Sequence, residues 1–326
     1  MGIEEMHRTR GRVVERAGDA MAALRACASE WDLAVSETAE GVIMDLPGAR
    51  LVLQPTGTGL GIEIAAPDDV HLRAAQDNLT EVLAGGGIEI GWDDVAAGAL
   101  APGLSIGKVI SCGQSAPGFL RLRVGLADAG RFASAGLHFR LLLPPLDRDP
   151  IWPQIGKTAR VDWPEGADAL HRAVYTVADL GADWIDMDIF DHPDSPTCTW
   201  VRDAAPGAPV GIMGPGGGWV PEGDPVLLFG DETALPAILR ILRILRLSEN
   251  EVRAWVAASP EDLSALNADP RVERVDDLLA ALAETDPGEA GFVWVAAGER
   301  IAREARRHLT ERGLPRDRFS AIAYWR

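Results

Sequence analysis

The last hundred residues switch between two hydrophobic periods, and that switch limits the folds open to the chain. PVLLFG, EVRAWVAAS, GFVWVAAG and RFSAIAYW are short apolar runs bounded by turn residues. Between them, ALPAILRILRIL, DDLLAALAE and ERIAREARRHLTERG carry apolar residues at helical spacing. Short continuous apolar runs read as strands buried on both faces, and the intervening segments as amphipathic helices. Strands separated by helices cannot pair as hairpins, so they predict a parallel sheet covered on both sides. Ligands of such sheets sit beyond the carboxyl ends of the strands, where Gly230 and the loop after Ala297 fall.

Upstream the signals differ. From about 107 to 222, FLRLRVGL, LHFRLLLPP, AVYTVADL, WIDMDIF and APVGIMGP read as strands separated by Pro, Gly and Asp clusters, which predicts an antiparallel barrel or sandwich. The glycines of MGPGGGW are followed by VPEGDP rather than a helix, so they read as a turn or hairpin and not a phosphate loop. From about 8 to 95, GDAMAALRACASEW and HLRAAQDNLTEVLAGGG read as helices, and GVIMDL, ARLVLQP and LGIEIAA as strands. DDVAAGALAPGLSIG reads as a linker. The expected organisation is a small α+β domain (1–95), an antiparallel β-barrel (107–222) and a parallel-sheet α/β domain (223–326).

The net charge of −18, from 31 basic and 49 acidic residues, disfavours nucleic acid and anionic membranes as partners. Only Lys108 and Lys157 are lysines, so a basic pocket for an anion would be built from arginine. No window approaches the roughly 18 unbroken apolar residues of a membrane span, and MGIEEMHRTRGR lacks an apolar signal core. Cys27, Cys112 and Cys198 are far apart and odd in number, which fits a reducing cytoplasm. A cytoplasmic monomer without membrane insertion is the expectation. DMDIFDHPD gathers Asp186, Asp188, Asp191, His192 and Asp194 but lacks the glycine and final glutamate of a calcium loop, so no metal site is expected.

VLLFGDETALPAILR joins a strand to a helix through Gly230. Such junctions usually cradle a phosphate, yet Asp231 and Glu232 would repel one. Asp231 or Thr233 can cap the helix, and Pro236 fits its first turn, where no N–H is needed.

Taken in order, HFRLLLPP (138–145), VYTV (174–177), WVRDAAPGAPVGIMGP (200–215), LLFGDETALPAILRIL (227–242), VWVAAGE (293–299) and AYWR (323–326) resemble the siderophore-interacting proteins, which are ferredoxin-reductase-like flavoenzymes. The resemblance covers about 107 to 326, with GDETALP and the terminal YWR its most specific parts. The first 95 residues resemble a small domain of unknown function often fused to this family. Its usual histidines after the first-helix cysteine are absent from CASEWDL, so no site is carried over there.

The resemblance implies FAD and NAD(P)H as cofactors, a ferric siderophore as substrate, and electron flow from nicotinamide through flavin to iron. It puts Gly230, Asp231, Glu232 and Thr233 at the nicotinamide end. It makes Tyr175 the residue that packs on the flavin ring, Thr176 the hydroxyl at its reactive edge, and Val177 part of the same motif. Arginines are expected two positions before Tyr175 and two after Thr176 to hold the FAD phosphates; here those positions are Ala173 and Ala178. His171 lies on the Tyr175 face and Arg172 on the other. The family's phosphate turn corresponds to Ser195, Thr197 and Cys198, ahead of Trp200. Asp188 and His192 flank the flavin, Glu299 closes the VWVAAGE segment of the cofactor set, and Trp325 is the terminal aromatic near the flavin. Arg300, Arg303, Arg306, Arg307 and Arg312 follow a helical period and read as a solvated face, with contact to an adenosine phosphate as the alternative. AASPED offers no arginine for a 2′-phosphate, so NADH and NADPH both stay open.

Two functional classes follow. One is a flavin-dependent NAD(P)H reductase of ferric siderophores, with reduction of some other acceptor as its variant. The other is a flavin-poor, non-catalytic siderophore- or partner-binding protein on the same fold.

Overall fold

The charged segment HRTRGRV forms a strand because its small or apolar residues alternate with arginines: Thr9, Gly11 and Val13 are buried while Arg8, Arg10 and Arg12 stay outside. Arg8 and Arg10 both pair with Glu63 on the neighbouring strand. The computed structural model describes residues 6–31, 33–38, 41–57, 59–93, 97–134, 136–156, 160–216, 218–266 and 269–325. The chain divides into two compact units, Met1–Leu104 with Ile151–Ala169, and Ser105–Pro150 with Leu170–Arg326.

In the first unit, His7–Val13 joins a six-stranded sheet with Val35–Thr38, Gly41–Leu46, Ala49–Thr56, Gly59–Ala66 and Gly91–Trp92. The helices Ala17–Glu30 and Asp69–Gly85 contribute Leu24, Leu72, Leu79 and Leu83 to its core. Asp68 caps the second helix by accepting from the His71 N–H at 2.8 Å. Of the expected linker, residues 94–96 lie outside the described residues, and its end is strand: Leu104 opens the strand Leu104–Ala116.

The second unit begins with a seven-stranded barrel sheet. Its order is His171–Thr176, His138–Leu143, Pro209–Gly216, Leu104–Ala116, Phe119–Gly125, Trp184–Phe190 and Asp179–Leu180. Phe132, Phe139, Leu141, Ile185 and Met187 fill its interior. SPTCTW, expected as a turn, is the start of the helix Pro196–Asp203. Ser195 caps it and Pro196 sits in the first turn, the usual way to open a helix.

The chain then forms the expected parallel sheet, in the order Val272–Arg274, Val252–Ala257, Val226–Asp231, Phe292–Gly298 and Phe319–Trp325. The short strand Val272–Arg274 and helix Pro260–Leu266 were not legible from the hydrophobic period. The central strand Val226–Asp231 is buried throughout. Val226 and Leu228 pack with Leu235, Ile238 and Ile241 of the helix Leu235–Ile244. Leu227 and Phe229 pack with Leu278 and Leu282 on one helix and Ala305 and Leu309 on another. Among the described residues no helix is long and apolar enough to cross a membrane.

Candidate functional site

The strand His171–Thr176 is an edge of the barrel sheet and, among the described residues, pairs only with His138–Leu143. An edge strand presents both faces and its free margin, so four consecutive residues, Ala173 to Thr176, line one cleft. The cleft measures about 810 Å³ and lies between this edge and the carboxyl ends of the parallel strands, represented by Thr233, Ala323, Tyr324 and Trp325. Phe190, Trp219 and Trp294 complete an aromatic wall. Burial pushes the Tyr175 phenol up to about 12, so it stays neutral.

Three polar side chains form a row along the cleft. Thr176 Oγ1 is 3.1 Å from His138 Nδ1, and Tyr324 Oη is 3.0 Å from His138 Nε2. Thr176 and His138 are opposite each other in the sheet register, which fixes their approach. Burial, with Arg240 nearby, lowers the His138 imidazole to about 4, and burial also pushes the Tyr324 phenol up. Arg240 itself is buried, and its Nη1 donates to the carbonyls of Leu137 and Val177, both at 3.2 Å. It thereby ties the chain beside His138 to the chain beside Thr176.

Asp231 caps the turn that follows its strand, as its position suggested, and it also makes bonds that the sequence did not show. Its Oδ1 accepts from the Thr233 N–H at 3.0 Å and from the Thr233 hydroxyl. Its Oδ2 accepts from the Gly298 N–H at 2.8 Å and the Trp325 indole N–H at 2.9 Å. The carboxylate is buried and spans the ends of three adjacent strands. Gly230 is a packing residue: a Cβ there would lie 2.6 Å from Ala234 Cβ and 2.8 Å from Ile238 Cδ1. Glu232 is half-buried, its carboxyl raised by burial and by Asp231 and Asp262, and it does not line the cleft.

Of the residues the sequence singled out, Tyr175, Thr176, Asp188, His192, Thr233 and Trp325 meet at the cleft. The Asp188 carboxylate is engaged: Arg121 grips both oxygens at 2.8 Å and Ser115 donates at 2.9 Å. Asp186 is held likewise by Arg123 at 2.7 Å, and Asp191 by Arg202. His192 turns its Nδ1 to the Pro193 carbonyl at 2.9 Å.

The other expected site residues stand elsewhere. Ser195 caps its helix through the Cys198 N–H at 3.2 Å, and Cys198 is fully buried. Thr197 is buried against His171, 2.9 Å from Nε2. Trp200 donates its indole N–H to the Pro144 carbonyl at 2.7 Å. Val177 belongs to the barrel core. Glu299 lies with Arg303 and Arg306 on a second groove of about 420 Å³, which shares Tyr324, Trp325 and Ala323 with the cleft. His138, Tyr324, Trp219, Trp294 and Arg240 were missed. His138 and Tyr324 stood inside quoted motifs, HFRLLLPP and AYWR, but nothing in the spacing joins them.

Residues 108–219 match the siderophore-interacting FAD-binding domain, and residues 223–326 match the siderophore-interacting protein domain. Among curated proteins, uncharacterized proteins of Mycobacterium tuberculosis (Rv2895c) and Mycobacterium bovis (Mb2919c) are each 37% identical over 99 residues, 29% of this chain. The match spans 35% of the length of these curated relatives. Among solved structures, a siderophore utilization protein from T. fusca is 28% identical with a TM-score of 0.56, over 68% of this chain and 92% of that one. The siderophore-interacting protein SipS from Aeromonas hydrophila is 19% identical with a TM-score of 0.55, over 68% of this chain and 91% of that one, a likeness of fold.

Proposed function

The chain belongs to the siderophore-interacting protein family, and from that premise we propose that it is a flavin-dependent reductase that takes electrons from NAD(P)H and passes them to ferric siderophores, releasing ferrous iron. We take it to act as a cytoplasmic monomer. The observation that carries the reading is the cleft in which Tyr175 and Thr176 of the barrel edge stand across from Thr233 and Trp325 of the parallel sheet.

The cleft suits one end of FAD and not the other. Its aromatic walls and neutral Tyr175 suit a planar ring, and its volume is within the usual range for a cofactor site. The phosphates are less well served. Among the described residues that line it there is no arginine or lysine, and Ala173 stands in the wall where the resemblance implies a guanidinium. Ala178 is buried, and His171 is already close to Thr197. FAD would therefore be held by its ring and only weakly by its phosphates.

When bound, the flavin supplies the step between two-electron and one-electron chemistry. The chain's own residues bind and orient. Tyr175 would cover the ring, Thr176 would offer a hydroxyl at its edge, and the aromatic wall would keep water from its faces. The Asp231 carboxylate, by gripping Gly298, Thr233 and Trp325, holds the nicotinamide side of the cleft in place. Arg303 and Arg306, on the adjoining groove, offer positive charge to an anionic siderophore in an otherwise repulsive field.

The same missing cations favour the second reading, a flavin-poor protein that holds a ferric chelate without turnover. The test is anaerobic incubation with excess FAD, NADH or NADPH, and a ferric siderophore, with a coloured ferrous chelator as readout. Ferrous iron forming at a rate that saturates with siderophore supports the reductase. Reduction of free flavin alone, with no gain from the siderophore, rejects it.

A further inference from the structure

We propose that Arg240, buried behind the wall of the cleft, stabilises the flavin ring in its reduced, anionic form, an inference that rests on the reductase reading above. Hydride transfer breaks a C–H bond of the nicotinamide and makes an N–H bond on the flavin. The ring gains two electrons and one proton, so a neutral ring ends with one negative charge while NAD(P)H becomes NAD(P)+. A charge that develops in such a cleft is stabilised best by an opposite charge already fixed in place.

Arg240 supplies that charge. It comes from the helix Leu235–Ile244 and is only 4% exposed. Its Nη1 donates to the carbonyls of Leu137 and Val177, both at 3.2 Å, and its Nη2 to that of Phe132. The guanidinium carbon is 5.7 Å from the centre of the Trp219 ring. Leu137 and Trp219 line the cleft, and Val177 directly follows Thr176, which lines it too. The cation therefore sits one residue behind the wall. Burial and the neighbouring Arg243 lower its guanidinium only to about 10, so it stays charged at neutral pH.

Its partners set it apart. Arg121 and Arg123 hold Asp188 and Asp186, and Arg243 has Asp179 at 3.2 Å. Among the described residues Arg240 has no carboxylate, only three carbonyls and a ring. A buried cation is costly unless an anion balances it, and its field is little screened by salt. That field reaches the cleft: together with burial, it lowers the His138 imidazole. The facing wall carries the opposite sign. Asp231 is held by neutral N–H and O–H donors, and it adds to burial in pushing up the Tyr324 phenol. The two charges thus act at opposite ends of the Tyr324–His138 pair, 3.0 Å apart. The positive end is on the barrel side, where the flavin turns anionic. The negative end is on the side of the parallel sheet, where the nicotinamide turns cationic.

The test uses the full chain and riboflavin, which has the ring but no phosphates. Its dissociation constant is measured without oxygen, for the oxidised ring and for the dithionite-reduced ring, by equilibrium dialysis. Mildly alkaline pH keeps reduced riboflavin anionic in solution. The natural protein should bind the reduced form about tenfold more tightly or better. Arg240→Met should abolish the preference by weakening the reduced form, and Arg240→Lys should keep most of it. A merely structural Arg240 would weaken both forms alike. Equal affinities in the natural protein, or a preference for the oxidised form, overturn the proposal whether or not the variants fold. A preference that survives in folded Arg240→Met overturns it too. A preference that depends on Arg240, with no turnover of any ferric siderophore, leaves the proposal standing and removes the siderophore assignment. If neither form binds at any concentration, the proposal falls with the flavin cleft itself.

Discussion

The indole N–H of Trp325 donates to Oδ2 of Asp231 at 2.9 Å, fastening the last described residue to the junction after the central strand. The same oxygen accepts from the Gly298 N–H, so one carboxylate ties three strand ends. This accounts for an acid where a phosphate-binding loop would have none: its ligands are protein N–H groups. Asp231→Asn keeps the shape but offers only one acceptor oxygen, so either the Thr233 pair or the Gly298 and Trp325 pair loses its acceptor. We expect a loss of about 2 kcal/mol in urea unfolding. Trp325→Phe, at a position that is 52% exposed, should cost about 1 kcal/mol or less. Equal stability of Asp231→Asn and wild type would show the carboxylate to be unimportant for the sheet ends.

Thr233 faces both ways, lining the cleft while its hydroxyl donates to Asp231. Thr233→Ala should lower stability by roughly 1 kcal/mol and slow the reduction of bound flavin by NAD(P)H, with flavin content unchanged. Stopped-flow bleaching of the flavin measures the second effect. A variant that loses stability but reduces flavin at the wild-type rate would confine Thr233 to capping.

Acid should weaken the fold through His138. Its folded imidazole protonates only near pH 4, while the unfolded chain takes up that proton near 6.5. As pH falls from about 6.5 toward 4, the unfolded state binds a proton that the folded state refuses, so stability declines by up to about 1.4 kcal/mol per pH unit. Above 6.5 and below 4 the contribution is flat. In urea melts across this window, His138→Gln should show a shallower decline than wild type. Parallel curves would mean that His138 charges freely in the folded state.

The parallel sheet was legible because Val226–Asp231 and Phe292–Gly298 are unbroken apolar runs between amphipathic helices. The strand Leu104–Ala116 was not, since its Gly, Ser and Gln residues give no alternation. The acid at 231 and its capping role could be seen, but its bonds to Gly298 and Trp325 could not, since these lie 67 and 94 residues away. Tyr175 and Thr176 were readable as a motif. Their neighbour His138 was not, because strand pairing brought it there. Ser195 and Pro196 did carry a helix-start signal, which the comparison with a family turn obscured.

Titration with FAD and riboflavin, followed by fluorescence quenching, tests most directly whether the cleft is a flavin site held by its ring. A charge-assisted hydrogen bond contributes about 1.5–3 kcal/mol. Without such a clamp the natural protein should bind FAD little better than riboflavin and should purify partly or wholly empty. Ala173→Arg should tighten FAD by roughly ten- to a hundredfold and leave riboflavin unchanged, since only FAD carries the pyrophosphate. Stoichiometric FAD retained by the natural protein through dialysis, or no binding of either flavin by both proteins, would contradict the account.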